Sequence, residues 1–367
     1  MSDFTTSSTG HRTFVPFQSL WKMPIDVPYS LLIGDGGMAW SCGQIALDQD
    51  SNVIGANDIV KQSEMICDYI EEILHRGNVL TRSTLKMLLY YVPTGKTDRL
   101  QMLDVFRRRF GEHCLLVPLA VPHYYYDGIL LEVDLFCDES SAEHVSYSGN
   151  GISIKAIPTD SHLWVYLEAV PSSVSILLQQ LSVFLSDYEM ILDMMLSEHW
   201  FAPSSHLPDM ADVLESRRLD MDIGALVDSG PDADMIQGHF MFARGEIKHS
   251  EQRIDSTNER CLLVRQCGDI TWLQARSFDH EKGLVDQTTS IMKCLELIIN
   301  ELGLSFMDVV KSTTHYEGGN TPEELHDNMR VRNACYSKPG PASTGLPVFG
   351  FSDKASRVVV DLTLKSK

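Results

Sequence analysis

The sequence predicts an α+β fold made of three tandem β-β-α-β-α-β units, and three observations predict it. Three tryptophans anchor three similar strands: Met38–Gln44 around Trp40, His162–Glu168 around Trp164, and Ile270–Arg276 around Trp272. Each strand is followed by turn residues and then by a helix with one apolar face. From each helix end to the next strand the spacing is the same, 13 residues from Gly77 to Tyr90, from Ser186 to His199 and from Gly303 to Tyr316. Self-similarity of this kind is the mark of a repeat architecture.

The first unit is placed at 20–140. Its helix carries Met65, Ile66, Tyr69, Ile70 and Ile73, spaced to share a face. Gly77 follows as a left-handed cap. Leu130–Phe136 closes the unit. The second is placed at 145–248, with Val174, Leu177, Leu181 and Phe184 as its stripe and Ser186 in the glycine's place. Gly238–Ala243 closes it, and the acidic segment Asp220–Asp234 is an irregular excursion within it. The third is placed at 255–367, with Ile291, Leu295, Ile298 and Leu302 on one face, Gly303 as the cap and Val358–Leu364 as the closing strand. Its second helix opens with Thr321-Pro322-Glu323-Glu324, a cap, a first-turn proline and a capping-box glutamate in order.

Composition narrows the class of function. The chain has 367 residues, 44% hydrophobic and 22% charged, which are globular values. A net charge of −20 repels phosphate backbones and disfavours nucleic acid as a partner. The longest apolar run, Leu115–Pro122, is far below the roughly 18 residues of a membrane-spanning helix. Residues Met1–Ser8 have neither a basic region nor an apolar stretch, so no signal peptide is expected. The eight cysteines form no C-x-x-C pair and the 13 histidines no H-E-x-x-H, so neither disulfides nor a metal is expected. There is no phosphate-cradling glycine motif, and no cofactor is predicted. A cytoplasmic protein without membrane contact fits these features.

The first unit resembles the reactive intermediate deaminase (RidA/YjgF) family. The resemblance rests on Pro28-Tyr29-Ser30, Ser41-Cys42-Gly43-Gln44-Ile45 with Asp48, Gln62, and Leu131-Glu132-Val133. The third unit is similar to it through Gln287, Gly303, Asp308-Val309-Val310-Lys311, Asn328 and Gly340-Pro341-Ala342-Ser343-Thr344. The second carries almost none of the signature. The resemblance implies chorismate-mutase-like units, normally three separate chains with ligand clefts between neighbours. Three copies in one chain imply an intramolecular pseudo-trimer, hence a monomer or dimer. A looser likeness is to chorismatases.

The same resemblance implies hydrolysis of imines or enamines, with an arginine in the Pro-Ala-Arg-Thr loop holding a substrate carboxylate and a strand glutamate handling protons. Glu132 matches the glutamate, and a carboxylate among apolar strands suits acid–base work; a solvent-facing strand glutamate is the competing reading. The arginine is missing. Its position falls on His113, followed by Cys114, in the first unit, and on Ser343, followed by Thr344, in the third. His113 could act as a base or bind an anion; a structural histidine and a buried Cys114 are the plainer alternatives. The small-residue loop 340–345 would offer backbone N–H groups to an anion, or would simply turn the chain. Tyr29, Gly43, Gln44 and Asn328 match cleft-lining positions. Arg276, placed where the first unit has Gln44, is a candidate replacement anchor or a strand-surface arginine. His123–Tyr126 would stack on a planar ligand or cover a sheet edge.

These residues lead to one expectation: an enzyme acting on a small carboxylated imine, enamine or related specialised metabolite, in a cleft joining the first and third units. A chorismatase-like lyase or hydrolase and a non-catalytic small-molecule-binding protein are the alternatives. A ribonuclease is disfavoured by charge.

Overall fold

The computed structural model describes residues 7–9, 12–17, 20–217, 224–252, 260–318 and 321–366. Its elements fall into three runs. The first holds β1 (Ser7–Thr9), β2 (Arg12–Pro16), β3 (Ser30–Asp35), β4 (Met38–Ser41), β5 (Gln44–Ile45), α1 (Ile59–Arg76), β6 (Thr84–Tyr91), α2 (Asp98–Phe110), β7 (Leu115–Ala120) and β8 (Leu131–Asp138). The second holds β9 (Val145–Gly149), β10 (Ile152–Pro158), β11 (His162–Ala169), α3 (Leu177–Ser186), β12 (Met195–Ala202), α4 (Leu207–Arg217), β13 (Leu226–Asp228) and β14 (Ile236–Ala243). The third holds β15 (Lys248–Gln252), β16 (Arg260–Cys267), β17 (Ile270–Ser277), α5 (Leu284–Glu301), β18 (Val309–Tyr316), α6 (Pro322–Asn333), β19 (Ala342–Pro347), β20 (Gly350–Phe351) and β21 (Val358–Lys365).

Each run makes a sheet with the same core strand order, and β20 of the third run joins the sheet of the second. The orders are β1-β2-β3-β4-β8-β6-β7, with β5 also on β8; β9-β10-β11-β14-β12-β13-β20; and β15-β16-β17-β21-β18-β19. The predicted β-β-α-β-α-β core is therefore present three times. Each copy adds a leading strand (β2, β9, β15) and a short strand after its second helix (β7, β13, β19). β7 and β13 lie parallel to β6 and β12.

The tryptophans occupy one place in all three sheets. Trp40 pairs with Phe136, Trp164 with Met241 and Trp272 with Thr363, each on the closing strand of its sheet. The 13-residue spacing is less regular than it looks. Tyr90 stands opposite Glu132, four residues before Phe136. His199 stands opposite His239, only two residues before Met241. The match in the second copy is thus displaced by two residues along the strand.

The chain divides into two compact units. One comprises Met1–Ser141, Ile299–Thr314 and Gly319–Pro347; the other comprises Ala142–Ile298, His315–Gly318 and Val348–Lys367. In the first, Ile66, Cys67, Ile70, Ile73 and Leu74 of α1 pack with Leu131, Val133, Leu135 and Cys137 of β8. Side chains alternate along a strand, so Glu132, Asp134 and Phe136 point to the other face. In the second, Leu177, Leu181, Phe184 and Leu185 of α3 pack with Leu163, Val165 and Leu167 of β11 and with Phe240 and Phe242 of β14. Residues 220–223 of the acidic excursion lie outside the described residues; the part that follows includes β13.

The helix ends separate two uses of glycine. Gly303 has φ +72° and open space around it, so it is there for its left-handed backbone. Gly77 differs from expectation. Its φ is −76°, and Asn78 takes the left-handed conformation instead. A Cβ on Gly77 would lie 2.4 Å from Leu32 Cδ2, so glycine there permits close helix–strand packing. α6 starts as predicted, with Thr321 Oγ1 accepting from the Glu324 N–H at 3.3 Å. Among the described residues no helix is long and apolar enough to cross a membrane, and no cluster of three metal-ligating side chains occurs.

Candidate functional site

Glu132 stands on the face of β8 turned away from the α1 layer. Its side chain lies against Gly43, where an added Cβ would fall 1.8 Å from Oε1 and 2.6 Å from Cδ. Glycine at 43 is therefore a steric requirement of the glutamate. Burial pushes the Glu132 carboxyl up to about 8, helped by the nearby Asp134 charge and opposed by Lys311 and Arg332. Near neutral pH it is mainly an acid able to give a proton, the condition general acid catalysis needs. Tyr126 ends the aromatic run 123–126. Its buried hydroxyl has no hydrogen-bond partner, and burial together with the Glu132 charge pushes it up to about 12.

Two residues along β8, Asp134 is fully buried and forms an ion pair with Lys311 Nζ at 2.9 Å. Lys311 also donates to Thr344 Oγ1 at 2.7 Å and to the Ser41 carbonyl at 2.9 Å, and Thr344 donates to Asp134 Oδ1. Every proton of the ammonium is directed, so this lysine is a fixed cation beneath the glutamate. Lys86 of β6 lies 4.4 Å from the Phe136 ring centre, and burial lowers it to about 7.

Helix α6 brings the remaining groups. Asn328 and Arg332, four residues apart, share a helix face. Asn328 is 0% exposed and Arg332 2% exposed. Arg332 Nη1 donates to Thr314 Oγ1 at 3.1 Å, and its guanidinium lies over Gly345, where a Cβ would meet Nη2 at 3.0 Å. Its charge is felt by Glu132 and by Tyr29. Tyr29 is raised by burial, with Arg332 and the Ser343 hydroxyl pulling the other way, and it meets Tyr336 edge-on at 6.0 Å. The small-residue loop docks through its backbone: Gly340 N donates to Pro28 O at 2.7 Å, Ser30 N to Pro341 O at 3.1 Å, and Ser30 Oγ to Gly340 O at 2.8 Å. A Cβ on Gly340 would lie 2.8 Å from that Pro28 oxygen.

The first compact unit thus contains Tyr29, Gly43, Glu132, Asn328, Ser343 and Thr344. The other candidates are placed differently. Gln44 is fully buried, but its amide is engaged by Trp21 Nε1 at 3.1 Å and by Cys42 O at 3.0 Å, so it is a structural brace. Cys114 sits in the apolar layer against α1, on the side of the sheet opposite Glu132, with its thiol raised by burial. His113 is exposed, its Nδ1 3.0 Å from where a Cβ on Gly111 would be. The gap left by the loop arginine is not filled from this segment. Arg276 belongs to the second compact unit, 5.2 Å from the Phe278 ring centre, and lines a cavity of about 70 Å³ with Glu215, Gly224, Leu226 and Ser352. Sequence reasoning did not single out Arg332, Asp134 or Tyr126 for a role at Glu132. Arg332 had one signal, its position one helical turn beyond Asn328.

No family model and no curated protein matches the chain. Solved structures do. A conserved Rid-family protein of unknown function from Yersinia pestis is 19% identical, covering 35% of this chain and 98% of its own, with a TM-score of 0.31. A putative endoribonuclease from Thermotoga maritima is 21% identical over 34% and 95%, with a TM-score of 0.30. TdcF from E. coli, solved with bound serine, is 14% identical over 33% and 98%, with a TM-score of 0.28. Each of these matches covers about a third of this chain and nearly the whole of the smaller protein.

Proposed function

We propose that the chain hydrolyses a small carboxylated imine or enamine by acid–base chemistry at Glu132. The observation that carries this reading is the raised carboxyl of Glu132, held against Gly43 and backed by the Asp134–Lys311 pair. With an enamine, the protonated Glu132 gives its proton to carbon and leaves a C=N bond. The resulting carboxylate then takes a proton from water as the water oxygen attacks the carbon of that C=N bond, the neighbour of the carbon just protonated. The carbinolamine loses ammonia and the carbonyl compound remains, so the overall change is addition of one water and release of one ammonia. The fixed Lys311 cation beneath the site limits the charge repulsion when Glu132 ionises.

Purified protein with 2-aminoacrylate, generated from serine by a dehydratase, tests the reading. Ammonia release accelerated by the wild type should fall roughly 10²–10⁴-fold in Glu132→Gln. The wild-type rate should also decline above about pH 8, as the acid form is lost. No acceleration by the wild type would reject the hydrolase reading.

A further inference from the structure

The second compact unit holds a cluster of titratable side chains that the Glu132 chemistry does not use. His199 of β12, His239 of β14 and His315 of β18 gather around Asp361 of β21. His199 Nε2 lies 3.2 Å from Asp361 Oδ1, and His315 Nδ1 lies 3.9 Å from Oδ2. The His199 ring stacks on His239 at 4.4 Å and stands 6.4 Å from His315. His239, His315 and Asp361 are 3%, 2% and 5% exposed, so bulk water and salt screen them little. Phe201 packs between His239 and His315, 5.9 Å from each, and Trp272 meets His199 edge-on.

The surrounding strands add little charge to balance more protons. Gln274, opposite Asp361 on β17, donates to Oδ1 at 2.9 Å and is neutral. Tyr166, opposite His239 on β11, accepts from Gln237, whose amide also meets Glu168 at 3.4 Å. Glu198 of β12 and Arg265 of β16 neutralise one another at 2.7 Å. Arg276, two residues beyond Gln274, lies over the Phe278 ring.

Imidazoles gain their charge on the acid side of neutrality. A first proton on this cluster is balanced by Asp361. A second puts like charges into buried, stacked rings, where repulsion is strong and hydration is lost. We propose that the cluster is an acid sensor: it holds one added proton while the second unit stays closed, and further protons open the strands that carry it. Once the strands open, all three imidazoles take protons freely. The open form therefore binds more protons than the closed one, and stability is lost as pH falls through the ordinary imidazole range, from about 7 to 5. The device is separate from Glu132 and holds whether or not the chain hydrolyses an imine.

Hydrogen exchange of the full chain from pH 7 to pH 5, read by mass spectrometry and corrected for the intrinsic pH dependence of exchange, tests this. In peptides covering β12 and β14 the opening constant should rise as pH falls, by up to about tenfold per pH unit for each proton gained on opening. Wild type gains two and should show a rise of up to about a hundredfold between pH 6 and pH 5. His239→Gln gains one fewer and should flatten this to about tenfold. Asp361→Asn has nothing to balance the first proton and should steepen the dependence beyond wild type. Peptides covering α1 in the first unit should not share the rise. Circular dichroism at about pH 7.5 shows which variants fold, and His315→Gln takes the place of His239→Gln if that variant does not. No acid-dependent rise in wild type, the same steepness in a folded histidine variant, or a dependence in Asp361→Asn no steeper than wild type would each overturn the proposal.

Discussion

Asp134 and Asp361 stand at matching places in their sheets, each two residues before the partner of a repeat tryptophan, and their surroundings differ. Asp134 faces the Lys311 ammonium and shares it with Thr344. Asp361 faces Gln274 Nε2 at 2.9 Å, His199 Nε2 at 3.2 Å and His315 Nδ1 at 3.9 Å. His199 in turn stacks on His239, with ring centres 4.4 Å apart. The first carboxylate is locked into an ion pair; the second is held by the Gln274 amide and lies beside two imidazoles that are charged only when protonated. Only the first has, two residues along its strand, a glutamate resting on a glycine. The equivalent of Glu132 beside Asp361 is Val359, which pairs with Arg276. Copies of one topology have thus kept a buried acid while differing in the chemistry around it.

The sharpest test of this contrast is a pair of isosteric changes. Asp134→Asn strands a buried ammonium and should cost about 3–5 kcal/mol in urea unfolding. Asp361→Asn leaves a group that still accepts hydrogen bonds and should cost about 1 kcal/mol. Equal losses would mean that the two sites are electrostatically alike. A smaller effect distinguishes the regions by pH. The raised Glu132 carboxyl binds its proton more tightly in the folded chain than in the unfolded one. Its contribution to stability is therefore complete below about pH 4.5 and is lost as pH rises through about 8. Unfolding free energies measured across that window should fall more steeply for wild type than for Glu132→Gln. His199→Gln, altered in the other region, should keep the wild-type slope on the alkaline side. The smallest expected difference concerns two glycines. Gly43→Ala must displace Glu132 and should cost roughly 1–3 kcal/mol as overpacking, together with most of any hydrolysis. Gly303→Ala meets only its own left-handed backbone, should cost about 1 kcal/mol, and should leave a hydrolytic rate unchanged.

The fold was legible where bulky residues repeat with a period. Trp40, Trp164 and Trp272 mark equivalent strand positions because an aromatic side chain on a half-buried sheet has few alternatives. The stripe Ile66, Ile70 and Ile73 was equally plain, and those residues are buried as a helix face should be. The strands β7, β13 and β19 were not set out as elements: β7 lies within the apolar run Leu115–Pro122, whose lack of alternation does not separate a strand from other buried chain, and β13 is only three residues long. Gly77 was misread because a steric requirement and a dihedral requirement select the same residue. At the site, Gly43 and Glu132 were visible as a motif, and their contact explains why they occur together. Arg332 was missed because the search for a guanidinium took in the loop and the strand position of Arg276 but not the helix before that loop. Gln44 looked like a ligand-facing amide until its partners, Trp21 and Cys42, were known.

The hydrogen bond from Ser30 Oγ to Gly340 O joins residues 310 positions apart, and Arg12 reaches the Met307 carbonyl across 295. A ribosome therefore has to deliver the chain as far as Met307 and Gly340 before Arg12 and Ser30 can find these partners. Until then the strand bearing Glu132 waits without the helix bearing Arg332. Such late closure makes for slow maturation, and it means that a chain cut short before Gly340 leaves Ser30 without the partner it has in the fold.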